Sequence, residues 1–318
     1  MARHLVTGGA GFIGSHLSEA LLARGDEVRV LDCFDPYYDP AIKRATAAEL
    51  SAKGIEVLEG DLRNPEDVAR AVEGVDGVVH LAARPGVRAS IEDPHTTFAI
   101  NVTGTLHVLE AMRHAGLQRL VFASSSSVYG GDATAPFREE QPASRPLSPY
   151  AASKRANELM AATYVELFDL GAIGLRFFTV YGPRGRPDMA IGKFLRKVYV
   201  GESIPLYGDG SVVRDFTYVD DIVRGVVAAL DRTTPGEFHV SNIGGGATHS
   251  MRELLNMIEA VSGRTLQIDE LPAAAGDMPL THADLERAKA LLGFESRVPL
   301  REGLARTAEW TRGALGLT

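Results

Sequence analysis

The chain has 318 residues, 45% of them apolar, which suits a soluble globular protein larger than one average domain and too short for three. A net charge of −8 with no block of Lys and Arg argues against a nucleic-acid partner. No apolar run reaches membrane length, no charged-then-apolar leader opens the chain, and the single cysteine, Cys33, excludes an internal disulfide, so a cytoplasmic, reducing location is expected.

The first predicted element is a strand over residues 4–7 that runs into Gly8, Gly11 and Gly14, with Phe12 and Ile13 between the last two. A helical pattern follows, with Leu17, Leu21 and Leu22 on one side. Glycines permit a tight turn and let the backbone approach a pyrophosphate, whose charge then sits at the helix N-terminus. The next predicted strand, residues 27–31, ends at Asp32. An acid about 20 positions beyond the glycines can hydrogen-bond the adenosine ribose hydroxyls, and it repels a 2′-phosphate, so NAD is favoured over NADP. A glycine turn alone is weak; this one lies between a strand and a helix, which makes it specific.

A turn-rich stretch, residues 35–40, leads into a helix that reaches residue 50, then a strand at 55–58 that ends at Asp61-Leu62. Asn64-Pro65-Glu66-Asp67 is a helix start: a cap, a proline at the first position, then acids in the first turn. A buried-type strand at 77–81, a long helix at 94–114, a strand at 119–124, a helix at 150–169 and a strand at 173–178 complete the alternation. Such units predict an α/β fold, a doubly wound parallel (Rossmann) sheet over residues 1–180 with ligands at the carboxyl ends of its strands. Beyond residue 180 turn formers and cations appear, and strands and helices mix. Residues 181–318 are expected to form mainly a smaller mixed α/β substrate lobe, with a helix near 219–231 returning to the first. Ser250-Met251-Arg252-Glu253 reads as a capping box.

Tyr150 and Lys154 stand four apart on a predicted helix and therefore share a face. A phenol ionises near about pH 10, and a cation beside it favours the phenolate. The pair is a candidate proton acceptor for an alcohol, and the dinucleotide turn strengthens that reading. The nine histidines are scattered without paired spacing, so no metal site is expected.

With these motifs the sequence resembles the extended short-chain dehydrogenase/reductase family, and within it the nucleotide-sugar epimerases. The likeness covers essentially the whole chain. It is carried by the glycine turn, Asp32, Asp61-Leu62, His80-Leu81-Ala82-Ala83, Asn101, the run Ser124 to Ser127 before Val128-Tyr129-Gly130, the Tyr150/Lys154 pair, Arg176-Phe177-Phe178 and Arg214-Asp215-Phe216-Thr217-Tyr218-Val219-Asp220-Asp221. The resemblance implies NAD contacts at Asp61, Leu62, Leu81, Ala82, Ala83 and Asn101. It aligns the family's catalytic hydroxyl with Ser125, which would relay the proton of the sugar C4 hydroxyl to Tyr150; Ser126 and Ser127 are alternatives in register. Related 4,6-dehydratases carry an Asp-Glu pair at the positions of Ser126 and Ser127, and related decarboxylases carry Glu at Ser127's. No carboxylate stands there in this chain, which argues for oxidation and re-reduction at one carbon.

Arg184-Gly185-Arg186-Pro187-Asp188-Met189-Ala190, Asp39-Pro40-Ala41-Ile42-Lys43-Arg44, Gly86-Val87-Arg88-Ala89-Ser90 and Gly276-Asp277-Met278 are similar to UDP-glucuronate 4-epimerases. That similarity implies substrate contacts at Val87 and Arg88, a carboxylate held by Arg186 with a hydroxyl contact from Thr179, a diphosphate at Arg214 and a uridine ribose at Asp277. By analogy it also implies a homodimer built on helices near 94–114 and 150–169. The rival expectations are a 4-epimerase for UDP-glucose or UDP-N-acetylglucosamine, and a non-catalytic NAD-sensing protein on the same fold.

Overall fold

The computed structural model describes residues 1–272 and 279–317. In chain order the strands are β1 (Arg3–Thr7), β2 (Glu27–Asp32), β3 (Glu56–Glu59), β4 (Gly77–His80), β5 (Arg119–Ser125), β6 (Gly171–Phe177), β7 (Thr179–Tyr181), β8 (Ile204–Tyr207), β9 (Val213–Tyr218), β10 (Phe238–Ile243), β11 (Thr248–Ser250) and β12 (Ile268–Leu271). The helices are α1 (Phe12–Arg24), α2 (Pro40–Ala52), α3 (Pro65–Val72), α4 (Val87–Glu92), α5 (Pro94–Phe98), α6 (Gly104–Ala115), α7 (Pro149–Phe168), α8 (Ala190–Val200), α9 (Val219–Arg232), α10 (Met251–Ser262), α11 (Glu286–Leu292) and α12 (Leu300–Ala314).

The large sheet runs β10-β6-β5-β4-β1-β2-β3, and every neighbouring pair is parallel. Its central strands β1, β4 and β5 carry uninterrupted apolar runs because both of their faces are covered. Leu5, Leu31, Val78 and Leu120 face the cluster shared with Val68, Val108, Leu109 and Val165 of α3, α6 and α7. Val6, Val30, Val79 and Val121 face the other side, against Leu17 and Leu21 of α1 and Val223 and Val226 of α9. Each such side chain, fully withdrawn from water, contributes about 1.5–3 kcal/mol. The order of strands reverses between β1 and β4, so a crevice opens at their carboxyl ends, where this architecture places ligands.

After residue 180 the chain builds two small sheets, β11-β9-β7 and β12-β8, and packs α8, α10 and α12 on one another. It also comes back to the large sheet. Helix α9 lies against α1, and β10 extends β6 in parallel register from Phe238 opposite Ala172 to Ile243 opposite Phe177. Strand β10 was not read from the sequence, because His239, Ser241 and Asn242 interrupt the apolar pattern. The expected caps formed: Asn64 accepts from Glu66 N at 3.2 Å, and Ser250 and Glu253 satisfy each other's backbone N–H groups.

The helix expected over residues 94–114 forms as one uninterrupted run in which α5 and α6 are joined through a single wide turn at Ala99–Thr103. The wide turn carries Asn101, whose side chain accepts from Arg84 N at 2.7 Å and donates to Arg84 O at 3.1 Å and Ser153 Oγ at 3.0 Å. A side chain that joins a neighbouring loop's main chain in this way is accommodated by widening the helix, a feature common near functional sites.

Candidate active site

The glycine turn closes at the end of β1. Gly8 has φ +70°, and a Cβ there would lie 2.8 Å from Ala82 Cα and 2.9 Å from Ala82 N. At Gly14 a Cβ would fall 2.3 Å from Gly8 O, so the turn and the start of α1 are packed backbone on backbone. No side chain caps α1 at Gly11, which leaves its first N–H groups to an anion. Asp32, at the end of β2, accepts from Ala10 N at 3.2 Å and Phe34 N at 3.0 Å. Burial pushes its carboxyl up; Lys43 and the two backbone bonds work against that.

One cavity of about 450 Å³ joins these groups to the second half of the chain. Of the residues expected from sequence, Gly8, Gly11, Phe12, Ile13, Gly14, Asp32, Asp61, Leu62, Leu81, Ala82, Ala83, Val87, Ser125, Ser126, Ser127, Tyr150, Lys154, Thr179 and Arg186 line it. Asn101 is not among the lining residues; it sits behind the wall, tied to Arg84 and Ser153. Arg88 does not line it either, because its guanidinium lies 5.4 Å over the Tyr207 ring. Arg214 stands on β9 with Nη1 donating to Val213 O at 2.9 Å, outside the cavity lining. Asp277 lies outside the described residues. The strand residue beside Arg214, Val213, exchanges backbone bonds with Pro279 and Thr281, so Arg214 borders the segment that leads from Asp277.

Ser148 caps α7 by accepting from Ala151 N at 3.1 Å, and Pro149 occupies the first turn, so Tyr150 and Lys154 are set one above the other. Lys154 Nζ donates to Ala123 O at 2.9 Å and stands 5.9 Å from the centre of the Tyr150 ring. The ammonium is buried, and burial lowers its pKa to about 8. The sequence pointed to Lys154 as the group that acidifies the phenol. In the folded protein burial raises the Tyr150 pKa, and what opposes burial is the charge of Arg186 and a hydrogen bond with Ser125.

The serine run is resolved by its partners. Ser124 Oγ donates to Glu158 at 2.6 Å, so its proton is committed there. Ser125 Oγ accepts from Ser127 N at 3.2 Å and from the Ser127 hydroxyl at 2.8 Å, which leaves its own proton for Tyr150. On the opposite wall Arg186 presents Nε and Nη2 to Asp188 at 2.9 and 2.7 Å. Its Nη1 has no hydrogen-bond partner among the described residues. The sequence reading did not assign Asp188 a role, nor Tyr37, Tyr38 and Lys43, which line the cavity beyond Asp32. Their signal was the turn-rich stretch directly after β2, at the carboxyl edge of the sheet.

A parallel sheet with a glycine turn at its reversal point, and a Tyr/Lys pair lining the same cavity as that turn, define an enzyme of the short-chain dehydrogenase/reductase class. Residues 4–244 match the NAD dependent epimerase/dehydratase family, and the chain belongs to it. It is 40% identical over 316 residues to the UDP-glucuronate 4-epimerase of Thermodesulfobacterium geofontis (strain OPF15), covering 98% of this chain and 97% of that one. It is similar to the crystal structure of UDP-glucuronic acid 4-epimerase from Bacillus cereus in complex with UDP-glucuronic acid and NAD, with TM-score 0.92, 35% identity and coverage of 98% and 99%. It is also similar to the Thermus thermophilus UDP-glucose 4-epimerase complex with NAD, with TM-score 0.88, 36% identity and coverage of 98% and 99%. The family's cofactor is NAD, and the backbone cradle at Gly8, the uncapped start of α1 and the acid at Asp32 fit it. No helix among the described residues is long and apolar enough to cross a membrane.

Proposed function

We propose that this protein is a UDP-sugar 4-epimerase whose substrate is UDP-glucuronate and whose product is UDP-galacturonate. The observation that carries the reading is the convergence of Tyr150, Ser125 and Arg186 on one cavity beside the glycine turn, with no carboxylate among the serines. The family and the relatives named as UDP-glucuronate 4-epimerases support it.

When bound, NAD supplies the hydride acceptor and donor for C4. Gly8, Gly11, Phe12, Ile13 and Gly14 would hold its pyrophosphate, Asp32 its adenosine ribose, and Lys154 its nicotinamide ribose. Asp61, Leu62, Leu81, Ala82 and Ala83 form the remaining wall. Ser125 takes the C4 hydroxyl proton and passes its own to the Tyr150 phenolate; the Ser127 hydroxyl holds Ser125 in that direction. The positive charge of Arg186 stabilises the phenolate, and returning the proton along the same path completes the second half of the cycle. Residues up to 180, with α9 and β10, form the cofactor domain and contribute Ser125, Tyr150 and Thr179 to the sugar site; the remainder mainly serves the nucleotide sugar. Arg214 and Asp277 are assigned to the diphosphate and the uridine ribose.

The 4-keto sugar acid is a β-keto acid, which loses CO2 when the carboxylate bond aligns with the carbonyl π system. Arg186 and Thr179 hold the carboxylate out of that alignment. Asp188 takes two of the five N–H groups of Arg186, and the edge that includes Nη1 remains for the substrate. That pairing also gives the second reading its support. A guanidinium already neutralised by Asp188 suits a neutral hexose, as in a UDP-glucose 4-epimerase. The Arg186→Ala variant separates the two. Loss of acid-sugar binding alone supports the acidic substrate; equal loss for both sugars supports the neutral one.

The helical face around α5, α6 and α7 leaves Phe98, Leu106, Leu159, Leu167 and Phe168 exposed by 40, 39, 56, 65 and 44%, which favours a homodimer paired through these helices. The protein is assigned to the cytoplasm, where its nucleotide-sugar substrate and NAD would be found.

A further inference from the structure

Behind the serine run lies a buried charged cluster that the chemistry above does not use. Glu158 follows Lys154 by one turn of α7 and is 1% exposed. A carboxylate withdrawn from water persists only with a full set of donors. Glu158 has four: the Ser124 hydroxyl at 2.6 Å, Arg176 Nε and Nη2 both at 2.9 Å, and Arg155 Nη1 at 2.7 Å. Arg176, on β6, is the register partner of Ser124 on β5. Its third nitrogen, Nη1, is buried without a hydrogen-bond partner, and the guanidinium sits 4.7 Å over the Tyr129 ring, whose face attracts it. The Tyr129 hydroxyl in turn donates to Asn242 Oδ1 at 2.6 Å on β10.

The consequence is geometric. Ser125, Ser126 and Ser127 belong to a short turn that ends at Tyr129. The cluster grips that segment at both ends, at Ser124 on the way in and at Tyr129 on the way out. It is anchored in α7, the helix that carries Tyr150. Lys154 adds a third grip on the same strand through Ala123 O. We propose that Glu158 and Arg176 are positioning residues which, through Ser124 and Tyr129, fix the distance between the Ser125 hydroxyl and the Tyr150 phenol. The inference rests on the epimerase reading. A buried ion pair is weak evidence of a stabilising role, since replacing one by apolar residues of similar volume is often neutral or stabilising.

Ser124→Ala tests this with least disturbance, because Glu158 keeps its three guanidinium bonds. The holoenzyme is assayed for kcat, KM and bound NAD in four forms: parent, Ser124→Ala, Ser125→Ala and the double variant. Misplacing a relay hydroxyl is expected to lower kcat about ten- to a hundred-fold, with KM and bound NAD unchanged. In the Ser125→Ala background the same substitution is expected to cost less than about twofold, because the two act as one unit. The joint replacement Glu158→Met with Arg176→Met, which removes both charges of the buried pair together, is expected to lower kcat in the same way with KM unchanged. Parental turnover in Ser124→Ala or in the joint variant would overturn the proposal. So would an equal loss from Ser124→Ala in both backgrounds, which would mark general damage. A parent inactive on every nucleotide sugar would refute the epimerase reading and this inference with it; an additive cycle on an active parent would refute the inference alone.

Discussion

Lys154→Met makes the tension between stability and chemistry measurable. The Lys154 ammonium is 3% exposed, and burial lowers its pKa from 10.5 to about 8. At about 1.4 kcal/mol per pH unit, carrying that charge into the fold costs about 3 kcal/mol near neutrality. The sign follows from proton counting. Between pH 8 and 10.5 the unfolded chain holds a proton that the folded chain has released, so the parent gains stability as pH rises through this window. Below pH 8 both states are protonated and the full cost remains. Methionine fills similar volume and does not titrate. Its advantage over lysine is therefore expected to be larger at pH 7 than at pH 10 by about 2–3 kcal/mol. The hydrogen bond to Ala123 O, lost in the variant, shifts both values together. The assay is urea unfolding of the NAD-free parent and variant at the two pH values. A difference between them that does not change with pH would show that Lys154 keeps an ordinary ammonium, and the reasoning about its burial would fail.

Tyr150→Phe is expected to abolish turnover while leaving folding and NAD retention intact; turnover near the parent's would remove Tyr150 as the base. Asp32→Asn keeps a hydrogen-bond acceptor for the backbone of Ala10 or Phe34 and removes the charge, so the preference for NAD over NADP should shrink, measured as the ratio of dissociation constants. An unchanged ratio would take Asp32 out of the cofactor site. Arg186→Ala should weaken UDP-glucuronate far more than UDP-glucose, by roughly ten- to a hundred-fold for a charge-assisted bond worth about 1.5–3 kcal/mol. It should also release some UDP-pentose, detectable by mass, if carboxylate restraint protects the intermediate. Arg186→Lys should recover only part of the loss, because an ammonium lacks the fork.

The parts of the site that the sequence displayed are those held by short segments. The glycine turn needs only one strand and one helix, and Tyr150 and Lys154 need only one helical turn. What stayed hidden depends on residues far apart in the chain. Arg186 pairs with Asp188 at the cavity wall facing Tyr37, and the Tyr37 ring lies 5.9 Å from the Arg186 guanidinium; no local pattern joins those segments. Arg88 carries the sequence of a substrate loop, yet its side chain is taken by Tyr207, which belongs to a strand more than a hundred residues away. Asn101 was placed near the cofactor by its motif, and the wide helical turn directs it instead to the main chain of Arg84. The sheet itself was legible from its apolar strands except at β10, whose polar residues face a network of buried partners: Asn242 bonds Tyr129, Phe137 and Asp284. Lys154 stands 5.9 Å from the centre of the Tyr150 ring, on the face its spacing implied, and Arg186, from a distant segment, adds a positive charge that opposes the burial of the phenol.

The most direct measurement is the product formed when the purified protein with NAD is incubated with UDP-glucuronate, and separately with UDP-glucose, followed by proton NMR of the anomeric signals. UDP-galacturonate is expected to accumulate from UDP-glucuronate to a constant ratio, much faster than UDP-galactose forms from UDP-glucose. Conversion of UDP-glucose with UDP-glucuronate left untouched would contradict the acidic substrate, and no change in either sugar would contradict the epimerase assignment itself.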